Sequence, residues 1–322
     1  MSVRVIPTIR EIEQATELVD PVFAHSALLA GTVLDRELDT RLHFKVETLN
    51  PIRSFKGRGA TVWIGQLDAG TEGVVCASAG NFGQALAYAA RRAGVACRVF
   101  VGETANPAKV EAMRALGAQV LLGGADYDTA IRTARAQASE PGWRFVQDGR
   151  DVWIAAGAGT IAVELTQAGV LPDIALVPVG NSALILGIAR WLRHHHPAIR
   201  IIGVCAEGAP APALSWHAGA PVPGPAVSTV ADGIGVREPF QESVAGMVEL
   251  VDDMVIVEES ELRSAVRTLA ACTGLVVEAA GAAGLAAVRS TPDAYRDANV
   301  FTPLCGAHLP PDTLRWAPDW RR

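Results

Sequence analysis

Chemistry that needs a primary amine has few places to go in this chain, because Lys45, Lys56 and Lys109 are the only lysines among its 28 basic residues. Lys56 lies in Asn50-Pro51-Ile52-Arg53-Ser54-Phe55-Lys56-Gly57-Arg58-Gly59-Ala60, a turn that leads from an apolar run into a helical pattern. An amine at a helix start faces the positive end of the helix dipole. With partial burial, that position favours the neutral, nucleophilic form. The competing reading of Lys56 is a solvated surface charge, the usual state of lysine. Lys45 alternates with apolar neighbours and reads as a structural charge at a strand edge. Lys109 follows Asn106-Pro107 in the first turns of a helix and reads as exposed.

Three other segments place small residues between a strand and a helix or at the end of a strand. Ala77-Ser78-Ala79-Gly80-Asn81-Phe82-Gly83-Gln84 lets backbone amides at a helix N-terminus approach an anion such as a carboxylate, or is an ordinary turn with Asn81 as its helix cap. Val177-Pro178-Val179-Gly180-Asn181-Ser182-Ala183-Leu184 offers a similar cradle, best suited to a phosphate. Neither a G-x-x-x-x-G-K-[ST] nor a G-x-G-x-x-G pattern follows that strand, which argues against ATP and NAD. Phe301-Thr302-Pro303-Leu304-Cys305-Gly306-Ala307-His308 ends a late strand, with Cys305 either a buried core thiol or a ligand contact. His194, His195 and His196 are consecutive, so their side chains fan out about 100° apart and cannot converge on one metal ion. Capping a helix end before Pro197 suits them better.

The elements that must hold these segments alternate between short β-branched runs and helical patterns, the signature of parallel strands joined by helices. Strands are predicted over residues 42–47, 74–77, 96–101, 118–122, 174–178 and 200–206. Helices are predicted over residues 82–93, 107–116, 127–139, 160–168 and 183–196. Gly94, Gly117 and Gly169 fall just beyond helices, where a left-handed residue ends them cheaply, and Pro107 suits a first turn. Residues 209–227, rich in Pro, Gly and Ala, read as an irregular surface excursion. The fold class is therefore α/β, with one or two open sheets.

Composition narrows the class further. A net charge of −6 and an apolar half of the chain exclude a disordered or nucleic-acid-coating polypeptide. The most apolar stretch, residues 174–192, contains Pro178, Gly180, Asn181, Ser182 and Arg190, so a strand, loop and helix explain it better than a membrane span. Five dispersed cysteines and no secretory pattern at the N-terminus suit a reducing cytoplasm.

In this order and spacing the segments resemble the fold-type II pyridoxal-phosphate enzymes, in particular the threonine/serine dehydratase and serine racemase branch. The likeness runs from Thr8-Ile9-Arg10 to Cys305 and includes Gly157-Ala158-Gly159-Thr160-Ile161, Ala231-Asp232-Gly233-Ile234 and Glu278-Ala279-Ala280-Gly281. It implies a tryptophan synthase beta-like arrangement of two open twisted-sheet domains with pyridoxal 5'-phosphate in the cleft between them. Residues 73–150 would form the small closing domain, and residues 1–72 with 151–322 the large one. It also implies a homodimer acting on a small amino-acid substrate, with no nucleic-acid or membrane partner. By the same resemblance Lys56 would hold the cofactor as a Schiff base and then remove the substrate's α-proton. Phe55 would pack on the ring, Asn81 would bond its 3-hydroxyl, and Gly180, Asn181, Ser182 and Ala183 would bind its phosphate. Ser78, Ala79, Gly80, Asn81 and Phe82 would receive the substrate carboxylate.

Cys305 stands where the branch carries Ser or Cys beside the pyridine nitrogen. A neutral thiol there suits prompt β-elimination to a 2-oxo acid and ammonia. Ala79 occupies the position of the serine that racemases use as a second acid/base, which favours elimination over racemisation. The sequence departs from the pattern at Asn181, Ser182 and Ala183, where glycines are usual, at Phe82, where histidine is common, and at Ile52-Arg53, where Thr-Gly is common. Arg53 is either a solvated cation at a helix start or the bidentate partner of a second anionic group on the substrate. Glu207 matches a divalent-cation position of the branch, but Gly208-Ala209-Pro210 adds no carboxylate, so weak metal binding or none is expected. The chain ends soon after the last motif, so no isoleucine-sensing regulatory domain is expected. β-Replacement and a non-catalytic ligand-binding protein on the same fold are the rival readings.

Overall fold

A parallel strand covered by helices on both faces needs an apolar side chain at nearly every position, and two segments meet that demand without interruption. Residues GVVCA at Gly73–Ala77 and IALVP at Ile174–Pro178 are buried throughout, each central to its own sheet. The computed structural model describes residues 3–103, 105, 107–125 and 127–309, so Asn106 lies outside the described residues.

In chain order the strands are β1 (Ala27–Leu29), β2 (Arg41–Val46), β3 (Gly73–Ala77), β4 (Ala96–Gly102), β5 (Gln119–Gly124), β6 (Trp143–Phe145), β7 (Ile174–Pro178), β8 (Arg200–Ala206), β9 (Asp253–Val257) and β10 (Asn299–Leu304). The helices are α1 (Ile9–Leu18), α2 (Val33–Glu37), α3 (Lys56–Ile64), α4 (Asn81–Ala93), α5 (Pro107–Ala115), α6 (Tyr127–Gln137), α7 (Val152–Gln167), α8 (Ala183–His195), α9 (Ala211–Ala218), α10 (Gln241–Leu250), α11 (Glu259–Thr273) and α12 (Ala279–Ser290).

One sheet has six strands in the order β1-β2-β10-β7-β8-β9, and the other has four in the order β5-β4-β3-β6. All neighbours are parallel except β1 and β2. The four-stranded sheet is drawn from residues 73–145 alone, and the chain on either side of it builds the six-stranded sheet. β10 keeps its ladder with β2 to the end, but it pairs with β7 only at Val300 and Phe301. Pro303, which has no amide to donate, falls where the second ladder has stopped, and the sheet opens toward Cys305.

Gly94, Gly117 and Gly169 adopt the left-handed conformation expected of helix ends, and α5 begins at Pro107. Two expectations about the helices are corrected. The stretch over residues 209–227 is not wholly irregular, because α9 forms inside it and ends at left-handed Gly219. α7 starts at Val152 and not at residue 160, since the Asp151 side chain accepts from Trp153 N and caps a run too evenly apolar to show a period.

α3 and α7 approach closely because each presents a glycine at the crossing. A Cβ on Gly157 would lie 2.6 Å from Gly59 Cα, and one on Gly59 would lie 2.7 Å from the Ile154 carbonyl oxygen. Beneath that crossing lies an ionic cluster that the sequence does not announce. Arg58 is fully buried, with Nε 2.7 Å from Glu47 and Nη1 2.6 Å from Glu164. Lys45 adds a further pair to Glu164 at 2.6 Å and is buried, which corrects its reading as a strand-edge charge. Burial acts to raise the Glu164 carboxyl, but the hydrogen bonds and charges of Arg58 and Lys45 prevail and hold it at about 2. This cluster ties the first turn of α3, and with it Lys56, to β2 and α7.

Candidate active site

Parallel strands deliver their following loops to one edge of a sheet, so residues just past the carboxyl ends of β2, β3, β6, β7 and β10 can meet. They do so around a cavity of about 830 Å³ lined from both sheets. Phe55 and Lys56 come from the turn after β2, and Ser78, Ala79, Gly80, Asn81 and Phe82 from the turn after β3. Gly180, Asn181, Ser182 and Ala183 follow β7, and Cys305 follows β10. Arg53 is not brought to this group. It is exposed, with a φ of 48°, and is not part of the lining, which suits the solvated cation of the two alternatives.

Lys56 opens α3, where the Ser54 hydroxyl accepts from its backbone amide at 3.3 Å. Ser54 Oγ also donates to the Cys305 carbonyl at 3.2 Å, and Phe55 N donates to the same oxygen at 3.1 Å. The lysine turn and the cysteine turn are thereby stitched together. Lys56 Nζ stands 4.6 Å from the centroid of the Phe55 ring and 2.6 Å from Asp148 Oδ2. Asp148 follows β6 and was not singled out in the sequence. A polar residue just past a strand's carboxyl end is the signal that could have found it.

In the turn before α4, Asn81 does not cap the helix. Gly80 is the N-cap, and the Ser78 hydroxyl accepts from Gly80 N at 3.2 Å and Gly83 N at 2.9 Å. Among the described residues the amides of Asn81 and Phe82 are left without an acceptor, and both residues line the cavity. Asn81 Nδ2 donates to Glu278 Oε1 at 2.8 Å, while its Oδ1 is buried without a partner among the described residues. Burial, and then the nearby Asp232 charge, push the Glu278 carboxyl up to about 7. Lys109 also lines the cavity and is buried in an ion pair with Asp232, which corrects the expectation that it is exposed.

The loop after β7 turns on Ser182, whose φ of 68° is left-handed, and delivers the chain into the thirteen-residue α8. The Ser182 hydroxyl donates to the Asn181 carbonyl at 2.6 Å, so it serves the turn. The first-turn amides of α8 point out of the helix toward any anion held there. The Cβ of any residue replacing Gly180 would come within 3.2 Å of the Gly233 carbonyl oxygen. Burial pushes the Cys305 thiol up, and Glu278 adds to the effect, so the group is neutral. The three histidines close α8, with the His195 ring 4.2 Å from that of Trp191. Glu207 is exposed, and among the described residues no group of three or more His, Cys, Asp or Glu side chains could hold a metal.

A half-buried lysine, an amide-lined turn, a neutral thiol and an orphaned amide oxygen around one cavity fit a phosphorylated, carbonyl-bearing aromatic cofactor. The chain belongs to the pyridoxal-phosphate dependent enzymes, whose family model matches residues 24–306. It is 38% identical over 281 residues to an L-threonine ammonia-lyase of Geobacter sulfurreducens, covering 86% of this chain and 69% of that one. Among solved structures it is similar to maize serine racemase, with a TM-score of 0.90 at 26% identity over 96% of each chain. The processed form of threonine deaminase isoform 2 from Solanum lycopersicum gives a TM-score of 0.86 at 28% identity, over 98% of this chain and 95% of that one.

Proposed function

We propose that the protein is an ammonia-lyase that eliminates the β-hydroxyl of a threonine- or serine-like amino acid, releasing a 2-oxo acid and ammonia. The observation that carries this reading is the convergence of Lys56, the free amides before α4, the cradle before α8 and the neutral Cys305 thiol on one cavity. The similarity to threonine ammonia-lyases supports it. Bound there, pyridoxal phosphate supplies an electron sink for the bond broken at the substrate's α-carbon.

The chain's own residues do the rest. Lys56 Nζ is the attachment point and then the base that takes the α-proton. Phe55 would pack beside the ring, Asn81 would meet the 3-hydroxyl, and the loop of Gly180, Asn181, Ser182 and Ala183 with the α8 amides would hold the phosphate. The amides of Asn81 and Phe82 receive the substrate carboxylate, with Ser78 fixing their turn. Cys305 offers the ring nitrogen no anionic partner, which favours prompt loss of a β-substituent. Ala79 carries no proton to the face opposite Lys56, which disfavours racemisation. The division into a small unit of residues 73–150 closing over the remainder belongs to the same proposal, as do a homodimeric state and a cytoplasmic location, the last supported by five unpaired cysteines.

Purified protein supplied with pyridoxal phosphate is expected to develop a visible absorption band, to be tagged by borohydride at Lys56, and to release ammonia and oxo acid from serine or threonine. Lys56→Ala is expected to lose the band and the activity. A colourless wild-type protein, or a tag on another residue, refutes the reading.

A further inference from the structure

Among the described residues, Asp148 is a carboxylate whose one charged partner is the amine that the proposed reaction uses as its base. Its side chain is 7% exposed and lines the cavity, with Oδ2 2.6 Å from Lys56 Nζ and Oδ1 buried without a partner. Among the described residues no second cation is paired with Asp148. The Arg150 guanidinium is committed to Glu242 at 2.8 Å, Lys109 to Asp232, and Arg135 Nη2 to the Gln147 side chain at 2.9 Å. On β3, burial, then Cys97 and the Asp148 charge itself, push the Cys76 thiol well up, so this neighbour is neutral too. Asp148 is therefore the carboxylate within hydrogen-bond reach of Lys56 Nζ, and it lines the cavity, so a proton taken up by Lys56 has an acceptor at hand.

The proposed elimination has a matching need. Hydroxide is a poor leaving group, and the α-carbon yields a proton in the same turnover. We propose that Asp148 relays the α-proton from Lys56 to the departing β-hydroxyl, an inference that rests on the lyase reading above. The Cα–H bond breaks with its proton going to Lys56 Nζ, and its electron pair becomes the carbon–carbon double bond. The C–O bond breaks with its pair on oxygen. Lys56 passes the proton to Asp148, Asp148 passes it to that oxygen, and water leaves. Nothing is oxidised or reduced.

The test compares serine with β-chloroalanine, a substrate of similar size whose chloride departs without a proton, on wild-type and Asp148→Asn holoenzyme. Asp148→Asn is expected to slow serine turnover by ~100-fold or more and β-chloroalanine turnover by less than about threefold. Cofactor absorbance and borohydride tagging at Lys56 are expected to persist in the variant. Equal slowing on both substrates makes Asp148 a positioning residue for Lys56 and overturns the relay alone. Wild-type protein that takes up no cofactor overturns the lyase reading and the relay with it. Should the variant not fold, the wild-type enzyme decides the matter through its solvent deuterium isotope effect. The relay requires an effect on serine that is lost on β-chloroalanine, and an equal effect on both, or none on serine, overturns it.

Discussion

Replacing Arg58 with Met keeps much of the side-chain volume and deletes the charge at the centre of the cluster beneath α3. Arg58 balances Glu47 and Glu164 together with Lys45, and it also donates to Thr160 Oγ1 at 3.0 Å. Without it one carboxylate is buried without compensation, a change that costs about 3–5 kcal/mol. The Glu164 carboxyl gives a second route to the magnitude. Held at about 2 against an ordinary 4.5, it contributes roughly 3 kcal/mol of stability, at about 1.4 kcal/mol per unit. Because the folded value is depressed, that contribution is present above pH 4.5 and is lost as pH falls through 2. In Arg58→Met the Glu164 carboxyl can protonate instead, so the variant's deficit is expected to be greatest near pH 7 and to shrink below pH ~4.5. At the 2–4 °C per kcal/mol typical of domains of 150–250 residues, the melting temperature at neutral pH falls by roughly 10 °C. Thermal melts and urea midpoints measured from about pH 7 down to about pH 2.5 test this. A deficit under about 1 kcal/mol, or one of the same size at both ends, refutes the reasoning. Arg58→Lys is expected to fall between wild type and Met, because an ammonium keeps the charge but cannot fork to both carboxylates.

Gly149, at a φ of 83°, sits against the phosphate cradle, and a Cβ there would lie 2.1 Å from the Asn181 carbonyl oxygen. Gly149→Ala therefore combines left-handed strain of about 1–2 kcal/mol with a displaced cradle. It is expected to weaken cofactor binding ~10-fold or more in an absorbance titration. Arg53→Ala, outside the cavity lining and exposed, is expected to leave turnover of serine, threonine and 3-hydroxyaspartate within about twofold of wild type. A selective loss on 3-hydroxyaspartate would restore Arg53 to the substrate site.

The strands were legible wherever burial on both faces forced an unbroken apolar run, so β7 and β8 fall where the sequence places them and β3 within one residue. β1 and β6 are three residues each and carry no period to read. α9 was hidden by Pro210 and Pro212. A proline in the first turn of a helix costs nothing, so the same residue type can mark a loop or a helix start.

The site divides along the same physical line. Lys56, Asn81, the loop after β7 and Cys305 were legible because each belongs to a short segment whose small residues exist to let a backbone approach something. Lys45, Arg58, Lys109 and Asp148 were not, because what distinguishes them is a partner far away in the chain. Lys45 meets Glu164 across 119 positions, Lys109 meets Asp232 across 123, and Lys56 meets Asp148 across 92. Local pattern reports what a segment can do with its own backbone. A buried charge reports on the fold, since only the assembled sheets decide which opposite charge comes within reach. In this chain the motifs locate the lining of the cavity, and the buried ion pairs, invisible as motifs, hold Lys56 at its place on α3 and set which carboxylate it faces.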